Sequence, residues 1–582
     1  MRAYRLRHIE EALREKSHPS SQLTKTPLGT LSGEAPLASR EVRISSGSPE
    51  SEVDAAINPA DSTNIIVGPI GLSTTMTLPI YYTTTFGTSW KKSTFQPAPY
   101  EAGVLVEGGG DPVFAFDANG KAYMSWIDLY LNPSSLDTVH TGMYWAYSTN
   151  GGQSWKRSTN GYIGNAWSIY NASAGTVDTT TGFDDKQWLA VDRSNSPYRN
   201  TLYAAWTHLD AKYFGVMLRR KLPNVDSMEP AVHVSSNAMK AVQYTSIGVD
   251  ALGGVHVTFM GTPDTVNFGI YHVYSSDGGR TFQPEVKISD ADIPGQSPDA
   301  KGDLIFGVRA PGNYPCPHLS IDTAVTGNLY MVWNALGVTQ DEGHGTDIYF
   351  SRSTDNGKTW SPAQVVNNDS NGVNGTYTDH FYPSIAVNGK GEIAVTWYDR
   401  REDPANQVGR YYLARSTDHG QTWTNTPVAS QPMDFNNVAD VNGNFGIGEY
   451  THVLTTSNYT IPVWSDGRDN AGRLRVYAAF ISSASARVER LSSVDPGVEL
   501  SENYPNPFSG KTQISFKLAA PSQTRLFVSD AMGKQIITLL NGKQEAGEHQ
   551  LTFDGSNLST GVYYLNLETE NGIVRRAINV IR

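Results

Sequence analysis

Cysteine is almost missing from this chain: Cys316 is the only one in 582 residues. No intramolecular disulfide is available, and a lone thiol reads as a buried small hydrophobe, not as a nucleophile. Long apolar runs are lacking too, and no stretch approaches the ~18 residues of a transmembrane helix. Charged residues make up only 18% of the chain, against roughly 25% in an average soluble domain. Their sum is −12, the opposite of the basic surface that nucleic acid requires. No EF-hand loop and no His/Cys ligand spacing occurs, so no cofactor is expected, and Ca2+ stays open as an option that no motif supports. The start, Met1 to Arg7, is basic but is followed by no apolar signal-peptide core.

Gly, Thr, Ser and Tyr are plentiful instead, a mixture that suits short strands and turns. The length exceeds one small core, so two or more domains are expected. An eight-residue pattern punctuates the chain: Ser148 to Trp155, Ser275 to Phe282, Ser353 to Trp360 and Ser416 to Trp423, with Thr83 to Trp90 as a decayed copy lacking the Asp. In Ser-x-Asp-x-Gly-x-Thr-Trp the Asp bonds nearby backbone N–H groups. The Gly supplies a conformation other residues resist, and the aromatic anchors the hairpin. The pattern resembles the Asp-box (BNR) repeat of sialidase-like β-propellers.

Around these boxes runs a repeat of about 50 to 70 residues, the size of propeller blades. Each unit opens with an alternating strand, then a Gly/Asn turn, then a strand often ending in Trp, as in Asp111 to Asp117 with Ala122 to Trp126. Seven units can be traced, the first at Val53 to Gly68; six blades is the alternative if that unit is irregular. The last unit lacks a fourth strand, and Glu41 to Ser45 resembles one, so it is expected to close the ring. The fold class is thus all-β: a seven-bladed (alternatively six-bladed) β-propeller followed by a small C-terminal β-sandwich. The expected boundaries are a flexible leader at 1–40, the propeller at 41–483, a linker at 484–498 and the sandwich at 499–582.

In that last segment Asn503-Tyr504-Pro505-Asn506-Pro507-Phe508, then Asp530 to Lys534, then Leu558 to Tyr564 follow in order. Together they resemble the C-terminal sorting domain of the type IX secretion system. The resemblance implies export to the outer surface or beyond, with the secretion machinery as a partner. It also implies a signal peptide, so the true start is expected to differ from Met1.

In a propeller, residues just before each first strand and just after each second strand share one face. There the sequence collects Asp111, Asp185, Asp379, Glu449 and Tyr450 as catalytic candidates, since paired carboxylates suit glycosidic cleavage. His318, His380, Asp399, Arg400, Arg401, Asp466 and Arg468 join them as ligand-binding candidates, two blades repeating Trp-x-Asp-x-Arg. The sialidase Arg-Ile-Pro motif is absent, so the resemblance implies the fold and leaves enzymatic activity open. The expectation is a secreted or cell-surface monomer that recognises an extracellular glycan or glycoprotein at a central funnel, with hydrolysis of sialidase type as one option. The alternative is a non-catalytic surface scaffold for a protein partner.

Overall fold

The computed structural model describes residues 40–482 and 498–581 except for short internal stretches, the largest being 96–104, 293–307, 309–315, 338–344, 370–377 and 439–446. The leader, most of the linker and the 530–534 turn lie outside the described residues. Among those described the chain is all strand and turn, with no α-helix. They divide into two compact units, one within 1–481 and one within 482–582.

The first unit holds seven antiparallel sheets, six of them following the chain in order. Their first strands are Glu50–Ile57, Leu105–Phe116, Phe183–Val191, Ala241–Val249, His318–Ile321, His380–Val387 and His452–Thr455. Each packs against the first strand of the next sheet, and the seventh packs against the first. Second strands such as Val255–Thr262 and Leu329–Ala335 are buried along their whole length because both faces of the sheet are covered. Their tryptophans, Trp126, Trp333, Trp397 and Trp464, are fully buried.

The seventh sheet takes its outer strand from the other end of the chain, as expected: Arg40–Arg43 pairs antiparallel with Arg475–Ser482, Val42 opposite Ala478. Arg40 also lies 4.1 Å over the Phe480 ring. It donates to the carbonyls of Phe86 and Gly87, inside the decayed box of the first sheet. One side chain thereby fastens the first sheet to the last.

The boxes work as the pattern suggests. Ser353 Oγ accepts the Gly357 N–H at 2.9 Å, while Asp355 accepts the Thr359 N–H at 2.9 Å and its hydroxyl at 2.6 Å. Ser416, Asp418, Gly420 and Thr422 repeat the set. Each box glycine has positive φ, for example 71° at Gly87 and 78° at Gly357, and abuts a side chain of the preceding sheet. Gly357 meets His272, Gly420 meets Phe350, Gly152 meets Ile66, and Gly87 meets Phe480. The glycine is therefore required twice, for its backbone and for the missing Cβ.

The second unit has a three-stranded sheet (Val498–Leu500, Lys511–Leu518, Gly547–Asp554) and a four-stranded one (Gln535–Gln544, Ser522–Ser529, Gly561–Thr569, Gly572–Val580). Lys511–Leu518 alternates exposed and buried residues, and Phe516, Leu526, Phe553 and Leu567 from both sheets share one apolar core. Strand alternation places that core as binary patterning requires.

Gly357→Ala is expected to destabilise the protein by about 1–3 kcal/mol through strain at positive φ and collision with the His272 ring. Gly389→Ala, with nothing near its Cβ position, serves as the neutral control. Thermal unfolding of the two variants checks this; equal melting temperatures would contradict it.

Candidate functional site

Five of the seven first strands shift register at one place: Ser51/Asp54, Gly110/Val113, Asp185/Trp188, Gln243/Ser246 and Phe381/Ser384. Such a bulge re-aims one side chain, here through a left-handed residue. These are Glu52 (φ 50°), Asp111 (49°), Lys186 (53°), Tyr244 (55°) and Tyr382 (54°), with Cys316 (33°) just before the fifth strand. The seventh sheet offers Tyr450, whose carbonyl accepts the Val53 N–H at 3.2 Å. Equivalent bonds join neighbouring sheets elsewhere: Thr245 Oγ1 donates to the Lys186 carbonyl at 2.9 Å, and Thr451 Oγ1 to that of Tyr382 at 3.0 Å.

The side chains so turned meet. Lys186 Nζ lies 2.9 Å from Glu449 Oε2 and 3.3 Å from Asp111 Oδ2. It also stands 4.7 Å from the centre of the Tyr450 ring and 5.5 Å from that of Tyr244. Asp111, Lys186 and Glu449 are only 7, 8 and 7% exposed. Asp185 accepts a bond from Gln243 Nε2 at 3.0 Å, and its charge is felt at Asp111. Burial pushes the Asp111 carboxyl up; Lys186 opposes this, and Glu52, Asp185 and Glu449 add to it, leaving Asp111 at about 8. Lys186 is held well above the usual lysine range, because Asp111, Glu449, Tyr450 and Glu52 overcome its own desolvation. The Tyr450 phenol is pushed up by burial, as is the Cys316 thiol. Cys316 is thus a buried, protonated thiol, in keeping with its reading as a small hydrophobe.

Two residues further along each strand comes a second layer. Trp188 packs edge-on to His318 at 5.1 Å and lies 5.8 Å from Tyr450. His318 sits 5.6 Å from His452, whose Nδ1 is 2.7 Å from Asp54 Oδ1. Burial and then His452 depress His318 to about 3, so it is neutral.

The other candidates make their contacts elsewhere. Asp399 accepts the Trp397 indole N–H at 2.7 Å and is gripped by Arg401, with Nη2 2.7 Å from Oδ2. Asp466 accepts the Trp464 indole at 2.8 Å and Arg468 at 2.5 Å, while Arg468 also pairs with Glu41 in the closing strand. The Trp-x-Asp-x-Arg repeat is therefore a staple within each sheet: indole to carboxylate to guanidinium. Arg400 is fully buried, 4.0 Å from the centre of the Phe435 ring, and donates to the Asn406 carbonyl at 2.9 Å. Asp379 accepts the Thr346 N–H at 3.1 Å and Asn406 Nδ2 at 2.6 Å. His380 Nε2 lies 3.1 Å from Asp369 and 3.4 Å from Asp399, with Asp347 3.6 Å from Nδ1. These carboxylates overcome its desolvation and hold His380 well above the ordinary histidine range.

The structure thus brings Asp111, Asp185, Glu449, Tyr450 and His318 into one neighbourhood and adds Glu52, Lys186 and Tyr244, which the sequence reading did not single out. A signal existed: Asp111-Pro112, Cys316-Pro317 and Tyr382-Pro383, aligned with Tyr244-Thr245 and Tyr450-Thr451, mark one position in five units. Among the described residues no group of His, Cys, Asp and Glu is arranged to hold a metal ion.

A family model for a secretion system C-terminal sorting domain matches residues 502–580, and one for a BNR/Asp-box repeat matches residues 351–362. The tail is a sorting domain. The sorting domain marks the protein for type IX secretion, to the cell surface or outside the cell. Among the described residues no helix is long and apolar enough to cross a membrane. No curated protein sequence matches the chain. Solved structures similar to it include an α-L-arabinofuranosidase from Fusarium graminearum (11% identity, 67% of this chain and 96% of that one, TM-score 0.38). An α-L-arabinanase from Penicillium chrysogenum (13%, 64% and 92%, 0.36) and a Hadza microbial sialidase (11%, 73% and 75%, 0.37) are others. Likenesses this distant carry neither substrate nor residue roles to the chain beside its sorting domain.

His380 supplies a pH test. Its folded value is raised, so its stabilisation is complete below the unfolded value near 6.5 and is lost as pH rises through the folded value. The melting temperature of the wild type should therefore fall across that upper window. In His380→Gln the same slope should be shallower; parallel profiles would contradict the assignment.

Proposed function

We propose that the seven sheets are the blades of an Asp-box β-propeller, that the sorting domain is a small β-sandwich, and that the exported protein binds an extracellular glycan where the bulge residues converge, with glycosidic hydrolysis as its chemistry. The observation that carries the reading is the Lys186 ammonium bridging Asp111 and Glu449 from separate sheets. Both oxygens lie within reach of one nitrogen, so no more than about 6 Å separates them. That ceiling lies below the 6.5–9.5 Å of inverting glycosidases and leaves room for the 5–5.5 Å of retaining ones.

The two carboxylates differ as such a reaction needs. Asp111, raised to about 8, keeps its proton at neutral pH and suits the acid that protonates the leaving oxygen. Glu449, 2.9 Å from the ammonium, suits the ionised partner that attacks the anomeric carbon or activates water. Tyr450, Tyr244 and Trp188 supply ring surface of the kind that sugars stack on. Four carboxylates against one ammonium disfavour an anionic sugar, while Arg401 and Arg468 are engaged by Asp399 and Asp466. A neutral glycan therefore fits better than a sialoside.

The near-complete burial of the cluster favours a second reading, in which it is internal glue and the protein is a non-catalytic surface scaffold for a protein partner. Turnover of a panel of neutral arylglycosides decides between the two. The hydrolytic reading expects activity that declines as pH rises through about 8, with retention of configuration. Asp111→Asn and Glu449→Gln should each lower kcat about 100-fold or more while the protein stays folded. No turnover and no signal on a glycan array, from folded wild type, would leave the scaffold.

A further inference from the structure

At the opposite end of the second and third sheets three lysines converge on one aromatic patch. Lys121 Nζ lies 3.9 Å from the centre of the Tyr147 ring and 5.2 Å from that of Tyr123. Lys156, next to the last residue of the first Asp-box, is 5.9 Å from Tyr147, and Lys221 is 5.8 Å from both Tyr123 and Trp145. Lys221 pairs with Leu202 at one end of Leu202–Leu209, whereas Asp185 pairs with Thr207 near the other end. The patch is thus separate from the bulge cluster.

Among the described residues none of the three lysines forms an ion pair with a carboxylate. Lys221 is only 2% exposed and donates to the carbonyls of Leu222 at 3.1 Å and Pro223 at 3.5 Å. An ammonium has three donors, so one is left over. Asp117 and Asp226 offset part of this charge at Lys121 and Lys221 but form no ion pair with either. Asp117 Oδ1 already accepts the backbone N–H groups of Asn119 and Lys121, both at 2.9 Å, and Asp226 is exposed. Burial lowers both Lys121 and Lys221 below the ordinary lysine range; Asp117 and Asp226 oppose this without reversing it, while Lys156 adds repulsion at Lys121 and Lys121 at Lys221. Like charges gathered on a half-buried surface destabilise the fold unless an anion offsets them.

We propose that Lys121, Lys156 and Lys221, set on Tyr123 and Tyr147, form a binding site for an oxyanion, a sulfate, phosphate or carboxylate group borne by an external ligand. An oxyanion accepts several charge-assisted bonds at once, which three ammoniums and the spare donor of Lys221 supply. The tyrosine rings limit where the lysines can swing. The site is independent of the glycan reading above and faces away from it along the same strands.

The test uses the full chain and measures melting temperature and binding heat with sodium sulfate, sodium phosphate and dextran sulfate. Sodium chloride at matched ionic strength and neutral dextran are the controls. Wild type should be stabilised by the oxyanions beyond chloride, and Lys121→Gln/Lys156→Gln should bind about tenfold more weakly or worse. Because these two lysines reach solvent, the double variant should fold, and without added anion it should be no less stable than wild type. Lys221→Gln should also lose the response. A polymer that binds far more tightly than the free ions identifies a polyanionic glycan as the source, and equal affinity identifies a small anion. Equal responses from chloride, or from the double variant, would overturn the proposal. So would a double variant that simply melts lower with its anion response unchanged.

Discussion

A left-handed residue in or just before six of the seven inner strands governs this molecule. Away from glycine that conformation costs about 1–2 kcal/mol, yet Glu52, Asp111, Lys186, Tyr244, Cys316 and Tyr382 all adopt it. The surroundings must over-determine it, and they do so by linking sheets: Gln187 donates to the Asp111 carbonyl, Thr245 to that of Lys186, Thr451 to that of Tyr382. The bulge that strains each strand also ties it to its neighbour. Its further effect is to turn Glu52, Asp111 and Lys186 toward Glu449 of the seventh sheet, which no strand could do alone.

Ring closure rests on equally local chemistry. A box glycine lets each hairpin lie against the preceding sheet without a Cβ between them, from Gly420 on Phe350 round to Gly87 on Phe480. Arg40 then spans the junction of chain ends by stacking on Phe480 and donating to Phe86 and Gly87. The decayed first box keeps the glycine and the Thr83 hydroxyl that accepts its N–H at 3.1 Å. What it lost, the Asp, matters to the turn alone; what it kept matters to the closure.

Much of the fold was legible because the repeat is local. Ser-x-Asp-x-Gly-x-Thr-Trp names its own turn, and Glu41 to Ser45 declares its place by likeness to other fourth strands. The site was legible only in part. Asp111 and Glu449 stood out as acids before first strands, but Lys186 lies inside Phe183–Val191, where a lysine reads as an outward residue of an alternating strand. Only the bulge turns it inward. Trp-x-Asp-x-Arg has a structural role that its spacing did not declare. Its spacing put a carboxylate and a guanidinium at a loop mouth, yet the buried indole needs an acceptor for its N–H and takes that carboxylate, which in turn takes the arginine.

The central charge balance follows from the same geometry. Burial first, opposed by Lys186 and reinforced by Glu52, Asp185 and Glu449, raises the Asp111 carboxyl far above the usual carboxylate range. In the proposed hydrolysis, that property is what would set Asp111 apart as the acid. Carbon-13 NMR of the aspartate carboxyl groups, titrated in wild type and in Asp111→Asn, tests it most directly. The account predicts one aspartate signal moving near pH 8 that the variant lacks; a spectrum in which no aspartate titrates above the value of about 6 held by Asp128 would contradict it.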